Sequence, residues 1–101
     1  MKSFQQQVLE LTKQIPIGKV TTYKEIGSKL HTRAFRAIGS ALHNNPHLEK
    51  IPCHRVINSN GDIGGYAGDE NRKKELLESE GIRVKNNKID LDIFGFTFSQ
   101  K

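Results

Sequence analysis

Apolar residues recur at helical spacing over Phe4, Val8, Leu11 and Ile15, and the pattern stops at Pro16 and Gly18. The same interruption comes twice more. Tyr23, Ile26 and Leu30 give way at His31-Thr32, and Phe35, Ile38 and Leu42 give way at Asn44-Asn45-Pro46. Proline lacks the N–H a helix needs and pushes the residue before it toward extended geometry. The first half of the chain is therefore held to short amphipathic helices joined by tight breaks. With 101 residues there is material for one domain, residues 1–101, around one modest core. Hydrophobic residues make up 35% and charged residues 27%, too apolar a balance for a disordered chain. No stretch approaches the roughly 18 apolar residues of a membrane span, and no apolar signal region follows Lys2. The expectation is a soluble protein with no membrane partner, cytoplasmic, or nuclear if eukaryotic.

Helix starts are written as clearly as the stops. Ser3 with Gln6 and Thr22 with Glu25 each form a capping-box pair. The third segment, Arg33 to about Asn44, sorts at 100° per residue into two faces. Phe35, Ile38 and Leu42 point one way; Arg33, Arg36, Ser40 and His43 point the other, flanked by Ala37, Gly39 and Ala41. Two short helices whose second presents a small, cationic face match a helix-turn-helix for DNA contact. An ordinary helical hairpin with a solvated basic face is the plainer alternative.

Charge bears on that choice. Lys and Arg number 16 against 11 Asp and Glu, and the whole excess of +5 falls in residues 1–52. A polarised positive surface suits a polyanion, whose neutralisation releases counterions.

The second half is irregular before it becomes regular. A glycine-rich run from Asn58 to Gly68 follows Ile51-Pro52-Cys53-His54-Arg55-Val56-Ile57, and Asp69 is placed to cap a last helix through Leu76 and Leu77. Gly81 is the C-terminal stop of that helix and Ile82 the apolar partner of the stop. Ile82, Val84, Ile89, Leu91 and Ile93 alternate around Asn86-Asn87 and predict a hairpin. The fold class expected is mostly α (α+β), a winged-helix-like helix-turn-helix domain with a small C-terminal hairpin.

Cys53 is the only cysteine, so no internal disulfide can form. It is an inert core thiol, a metal ligand or a nucleophile. As a nucleophile it needs a base or positive field, because only a few per cent of a thiol of ordinary pKa is ionised at neutral pH. His54 can serve, oriented by a carboxylate. Eight carboxylates lie in the C-terminal half, Glu80 among them, and composition does not choose. A zinc site from His43, His47, Cys53 and His54 is disfavoured: Asn44-Asn45-Pro46 breaks the helix between the first two, and a second thiolate is lacking. No metal and no cofactor are expected.

At this point the residues become specific. Ile51-Pro52-Cys53-His54-Arg55-Val56, preceded by Arg36-Ala37-Ile38-Gly39 and Asn45-Pro46 and followed by Gly64-Gly65-Tyr66 and Glu80-Gly81, resembles the DNA-binding, active-site domain of the O6-alkylguanine-DNA alkyltransferases. The resemblance runs from Phe4 to Arg83. It implies minor-groove binding of double-stranded DNA containing O6-alkylguanine, followed by extrusion of the damaged nucleotide, since a stacked guanine cannot present its oxygen to a thiol. Arg36 then matches the finger that fills the gap and Tyr23 the tyrosine that assists rotation, with Arg33, Ala37 and Ser40 on the DNA-facing helix. Cys53 matches the acceptor thiol, His54 the water-mediated base, Glu80 the carboxylate that orients it, and Asn45 the residue bracing the turn. The carbonyls of Cys53 and Val56 receive the guanine amino group, Tyr66 and Ala67 line the pocket, and Lys73 supports it.

Two departures stand out. Ala67 replaces the serine of many members, and an N-terminal domain carried by full-length members is not in this sequence. The resemblance thus implies a monomeric, single-turnover methyl acceptor, with a separate N-terminal-domain chain or excision-repair proteins as further partners. Its alternative is an alkyltransferase-like protein that binds the lesion without transfer and recruits excision repair, although such relatives lack the cysteine kept here. Phe94, Phe96 and Phe98 are expected to cover core surface.

Overall fold

The computed structural model describes residues 2–44, 50–64 and 70–98 and is mostly helical. Helix α1 spans Phe4–Lys13, β1 Thr21–Thr22, α2 Tyr23–Lys29, α3 Phe35–His43, β2 Val56–Ile57, α4 Glu70–Ser79 and α5 Leu91–Phe94. A single 3-10 turn, Cys53–Arg55, leads into β2.

The helix ends follow the chemistry expected of them. Ser3 caps α1 with the full box: its hydroxyl accepts from Gln6 N–H, and the Gln6 side chain accepts from Ser3 N–H. Thr22 caps α2 by accepting from Glu25 N–H. α2 ends with His31 in the left-handed region at φ 57°, where Thr32 N–H reaches the Gly27 carbonyl at 2.9 Å. That 6→1 bond turns the chain into α3 within a few residues and completes the helix-turn-helix. α4 ends in the same way. Gly81 sits at φ 88° and Ile82 N–H reaches the Leu77 carbonyl at 3.1 Å, with Leu77 and Ile82 both buried. Asp69, the expected cap of α4, lies outside the described residues.

β1 and β2 pair in parallel, Thr21 against Val56 and Thr22 against Ile57. Because successive strand side chains point to opposite faces, β2 divides the interior. Val56 joins a cluster with Val8, Leu11, Ile15, Ile26, Ile38 and Leu42; Ile57 joins a second with Val20, Ile63, Leu77, Ile82 and Ile89. The C-terminal segment closes both. Val20 N–H donates to the Phe94 carbonyl and Phe96 N–H to the Val20 carbonyl, at 2.9 and 2.7 Å. Phe98 is then buried in the first cluster, edge-on to Phe96 with ring centroids 5.4 Å apart, while Phe94 packs on the second. The three phenylalanines do cover core surface.

Three expectations need correcting. α3 starts at Phe35, so Arg33 precedes the helix, and Phe35 is 42% exposed rather than inward. In the first turn of a helix that begins at a sharp break, its ring leans over the preceding helix toward Gly27 instead of into the core. The hairpin is reduced to one bridge, Lys85 with Lys88, around Asn86 and Asn87 at φ 55° and 60°. Leu91 and Ile93 belong to a helix, not a strand, because the Asp90 carboxylate accepts from Asp92 N–H and starts a new turn.

The helix-turn-helix leaves no room at Gly27. A Cβ there would lie 2.8 Å from both the Phe35 ring and the Thr32 carbonyl oxygen. Overpacking of this kind costs about 2 kcal/mol. Gly27→Ala should therefore lower the melting temperature by roughly 10 °C, at about 4–8 °C per kcal/mol in a domain of this size, as read by thermal circular dichroism.

Candidate active site

Pro52 determines how the thiol is presented. At φ −79° and ψ 66° it makes an inverse γ-turn, with Cys53 N–H donating to the Ile51 carbonyl at 2.8 Å. The proline ring fixes that φ. Arg55 N–H then returns to the Pro52 carbonyl, closing the 3-10 turn and aiming Cys53 and His54 into the interior, where both are buried. The parallel pairing of β1 with β2 brings Tyr23, the first residue after β1, against this turn. Burial raises the Tyr23 pKa, and the charge of the neighbouring Cys53 adds to the rise.

Glu80 is delivered from the opposite side. It occupies the C-cap of α4, immediately before the left-handed Gly81, so the same motif that ends the helix fixes the carboxylate. His54 Nε2 lies 2.9 Å from Glu80 Oε2. Arg55 grips the carboxylate with two bonds, Nε to Oε1 at 2.8 Å and Nη2 to Oε2 at 2.7 Å, and its Nη1 donates to the Ile15 carbonyl at 2.8 Å. All three side chains are nearly buried.

Burial would raise the Glu80 pKa, but the hydrogen bonds and charges of Arg55 and His54 outweigh it and hold the carboxyl below its ordinary value. Glu80 is therefore an anion and only accepts. His54 is held below its ordinary value chiefly by burial, with Arg55 and Lys73 adding to the fall and Glu80 opposing it. The imidazole is neutral at pH 7, its proton lies on Nε2 facing the carboxylate, and Nδ1 is its basic nitrogen. A buried thiol next in sequence to a neutral, oriented imidazole has the composition of a nucleophile and base pair.

Lys73 is 1% exposed and donates from Nζ to the Val56 carbonyl at 2.9 Å. Of the residues expected in a base pocket, Val56 and Lys73 are thus in direct contact; Tyr66 and Ala67 lie outside the described residues, as does Asn45. Tyr23, Arg33, Phe35, Arg36 and Gly39 face Asn58 to Asn60 across an open cleft of about 820 Å³. Ala37 and Ser40 are exposed on α3. The structure therefore brings Glu80 onto His54, next in sequence to the buried Cys53, and sets Tyr23, Arg33 and Arg36 around one cleft. Sequence reasoning missed the function of Arg55. Its position next to His54, with a fork matching a carboxylate, was the available signal.

Among the described residues no group of three or more His, Cys, Asp or Glu side chains is placed to hold a metal, and His47 of the weighed zinc set lies outside them. No helix among them is long and apolar enough to cross a membrane.

Residues 3–82 match the family described as 6-O-methylguanine DNA methyltransferase, DNA binding domain. The chain belongs to that family. A methylated-DNA–protein-cysteine methyltransferase of Candida glabrata is 45% identical over 91 residues, which cover 89% of this chain and 44% of that protein. Among solved structures of methyltransferase relatives, M. tuberculosis OGT in complex with DNA is 42% identical with a TM-score of 0.74, covering 79% of this chain and 50% of that one. S. pombe Atl1, in complex with damaged DNA containing O6-carboxymethylguanine, is 32% identical with a TM-score of 0.83, covering 96% of this chain and 99% of that one. The chain thus spans about half the length of the curated methyltransferases it matches and nearly all of Atl1.

The Arg55 clamp can be tested through stability. Arg55→Met removes one partner of a buried ion pair and should cost about 3 kcal/mol, read by urea denaturation at pH 7. The wild-type protein also carries a pH signature. Between the depressed native pKa and the unfolded value, 6.5 for His54 and 4.5 for Glu80, the unfolded chain binds the extra proton, so stability falls with acidification. Unfolding free energy should start to decline below about pH 6.5 and decline further through the carboxylate range. His54→Gln should remove the first phase and Glu80→Gln the second.

Proposed function

We propose that this chain repairs O6-alkylguanine in double-stranded DNA by taking the alkyl group onto Cys53. The observation that carries the reading is the buried Cys53 thiol beside a neutral His54 whose Nε2–H is held by an anionic Glu80. His54 Nδ1 takes the thiol proton, directly or through one water. The thiolate sulfur attacks the alkyl carbon, an S–C bond forms, the C–O6 bond breaks, and its electron pair leaves on guanine. The guanine anion takes up a proton from solvent and the imidazolium of His54 returns one to it, so protons and charge balance. A thioether results, and no base in the site can break it. Each molecule therefore acts once.

The remaining roles follow the cleft. Arg36 fills the space vacated by the extruded nucleotide, Tyr23 assists its rotation, and Arg33, Ala37 and Ser40 lie against the minor groove. Small residues on that helix allow close approach to the duplex. Tyr66, Ala67 and the Val56 carbonyl pocket the base, Lys73 holds that carbonyl in place, and Asn45 braces the turn. Methyl is the alkyl group the site suits best. Dependence on phosphate contacts predicts binding that weakens steeply with salt.

One observation favours a second reading. Atl1 matches nearly this whole chain and is bound to damaged DNA, so a lesion binder that transfers nothing is the competing function. Retention of Cys53 with His54 and Glu80 argues for transfer.

Intact-protein mass after mixing with an equimolar duplex containing one O6-methylguanine separates the two. A single methyl addition that maps to Cys53, stops at one per molecule and vanishes in Cys53→Ala is the expected outcome. Unmodified protein that still prefers the damaged duplex would establish the lesion binder instead. Arg36→Ala should slow methyl uptake by about tenfold or more while weakening undamaged-duplex affinity by only about twofold, since it removes a wedge more than a phosphate contact. Equal losses in both assays would remove Arg36 from the flipping step.

A further inference from the structure

A second charged surface lies apart from the cleft and the thiol. Gly81, Arg83, Lys85, Lys88, Ile93 and Phe94 line a groove of about 490 Å³, which shares no residue with the cleft beside α3. Apart from Gly81 all of them follow the segment matched by the family.

Its construction is costly, which makes it informative. Lys85 and Lys88 exchange both backbone hydrogen bonds at 2.9 Å, so they are directly opposed in an antiparallel bridge and their side chains leave from the same face. Like charges in that relation repel. Arg83 lies two residues before Lys85 and points to the same face, while Val84 between them turns inward onto the second core cluster. None of the three cations forms a salt bridge among the described residues. Asp90 is the only carboxylate in the lining, and one of its oxygens already caps α5. The bridge is nevertheless held rigidly. Ile63 N–H donates to the Asn87 carbonyl and Ile89 N–H to the Gly61 carbonyl, each at 2.9 Å.

The same groove contains apolar surface. Ile93 is 60% exposed, on the short helix whose terminal carbonyls are engaged, and Phe94 forms a half-buried wall. Lys19 Nζ donates to the Ile93 carbonyl at 3.0 Å and helps to fix the short helix. A phosphate backbone would use the cations and waste the isoleucine. A peptide carrying both acids and a bulky apolar side chain would use both.

We propose that this groove docks an acidic peptide segment of a partner protein, with an apolar side chain of the peptide seated on Ile93 and Phe94 and its carboxylates on Arg83, Lys85 and Lys88. The surface is independent of alkyl transfer, so its test can fail while the transfer reading stands.

The probe is a short fluorescein-labelled peptide of glutamate and aspartate with a central Leu-Phe pair, titrated with the full chain and read by anisotropy. A matched peptide with Ser-Gly at its centre and an undamaged duplex are run beside it. Binding of the Leu-Phe peptide should exceed that of the Ser-Gly peptide and should weaken by about tenfold in Lys85→Gln/Lys88→Gln and in Ile93→Ser, because anchors and complementary charges carry such interfaces. Duplex affinity should stay within about twofold in the same variants. Relief of the opposed lysines should leave the melting temperature of Lys85→Gln/Lys88→Gln unchanged or higher, so loss of binding cannot be laid to misfolding. Equal binding of the two peptides, or variants that bind the peptide as wild type does, would overturn the proposal. A matching loss of duplex affinity would assign the groove to DNA. Concentration-dependent dimerisation abolished by Ile93→Ser would assign it to a second copy of the chain.

Discussion

The grip of Arg55 on Glu80 is the interaction through which the rest of the site is assembled. Its three ends belong to different parts of the chain: the Pro52-directed turn, the C-cap of α4 and the Ile15 carbonyl after α1. Ile15 belongs to the first core cluster, while Leu77 of α4 belongs to the second. The guanidinium thus ties the two halves of the interior together beside the Cys53 turn. A bidentate, nearly buried pair is strong in geometry but modest as a net source of stability, because both ions give up water. Its value lies in position. With Glu80 fixed, His54 Nε2 donates to it and Nδ1 is the basic nitrogen.

The electrostatics involve a compromise between base strength and base availability. An unopposed carboxylate would raise the pKa of His54 and favour the imidazolium, which cannot act as a base. Burial disfavours the imidazolium most and Arg55, which shares the Glu80 charge, adds to the effect, so the ring is neutral near pH 7. A neutral imidazole oriented by a charge that is itself shared is a weaker base than a free His–carboxylate pair. It is present in the neutral form near pH 7, the form a base requires.

Much of this was legible because it is local. Capping at Ser3 and Thr22, the stop at Gly81 with Ile82 and the amphipathic faces of α1 and α2 depend on residues within a turn of one another. Sequence spacing reports such relations directly. The centre itself was half legible: Cys53 and His54 are neighbours, but Glu80 could be chosen from eight carboxylates only by family resemblance. The pairing of Thr21-Thr22 with Val56-Ile57 joins two dipeptides distant in sequence and too short to show a period. Phe35 followed the helical pattern yet is exposed, since α3 begins there and its first turn overhangs α2. Leu91 and Ile93 followed the strand pattern, but one aspartate at the cap position was enough to begin a helix.

The C-terminal segment bears on how such a chain holds together. Phe96 and Phe98 are drawn onto the first cluster by two hydrogen bonds around Val20, while the preceding residues close the second. The segment after the family match therefore completes both sides of the core. Having buried its phenylalanines, it still exposes Ile93 beside Arg83, Lys85 and Lys88, which form no salt bridge among the described residues. A segment needed only to seal a core could have placed polar residues at those positions and avoided opposing Lys85 with Lys88. Surface that costs stability in a part otherwise devoted to supplying it is surface retained for contact, and the mixture of charge and exposed aliphatic side chain specifies a protein partner more closely than a nucleic acid.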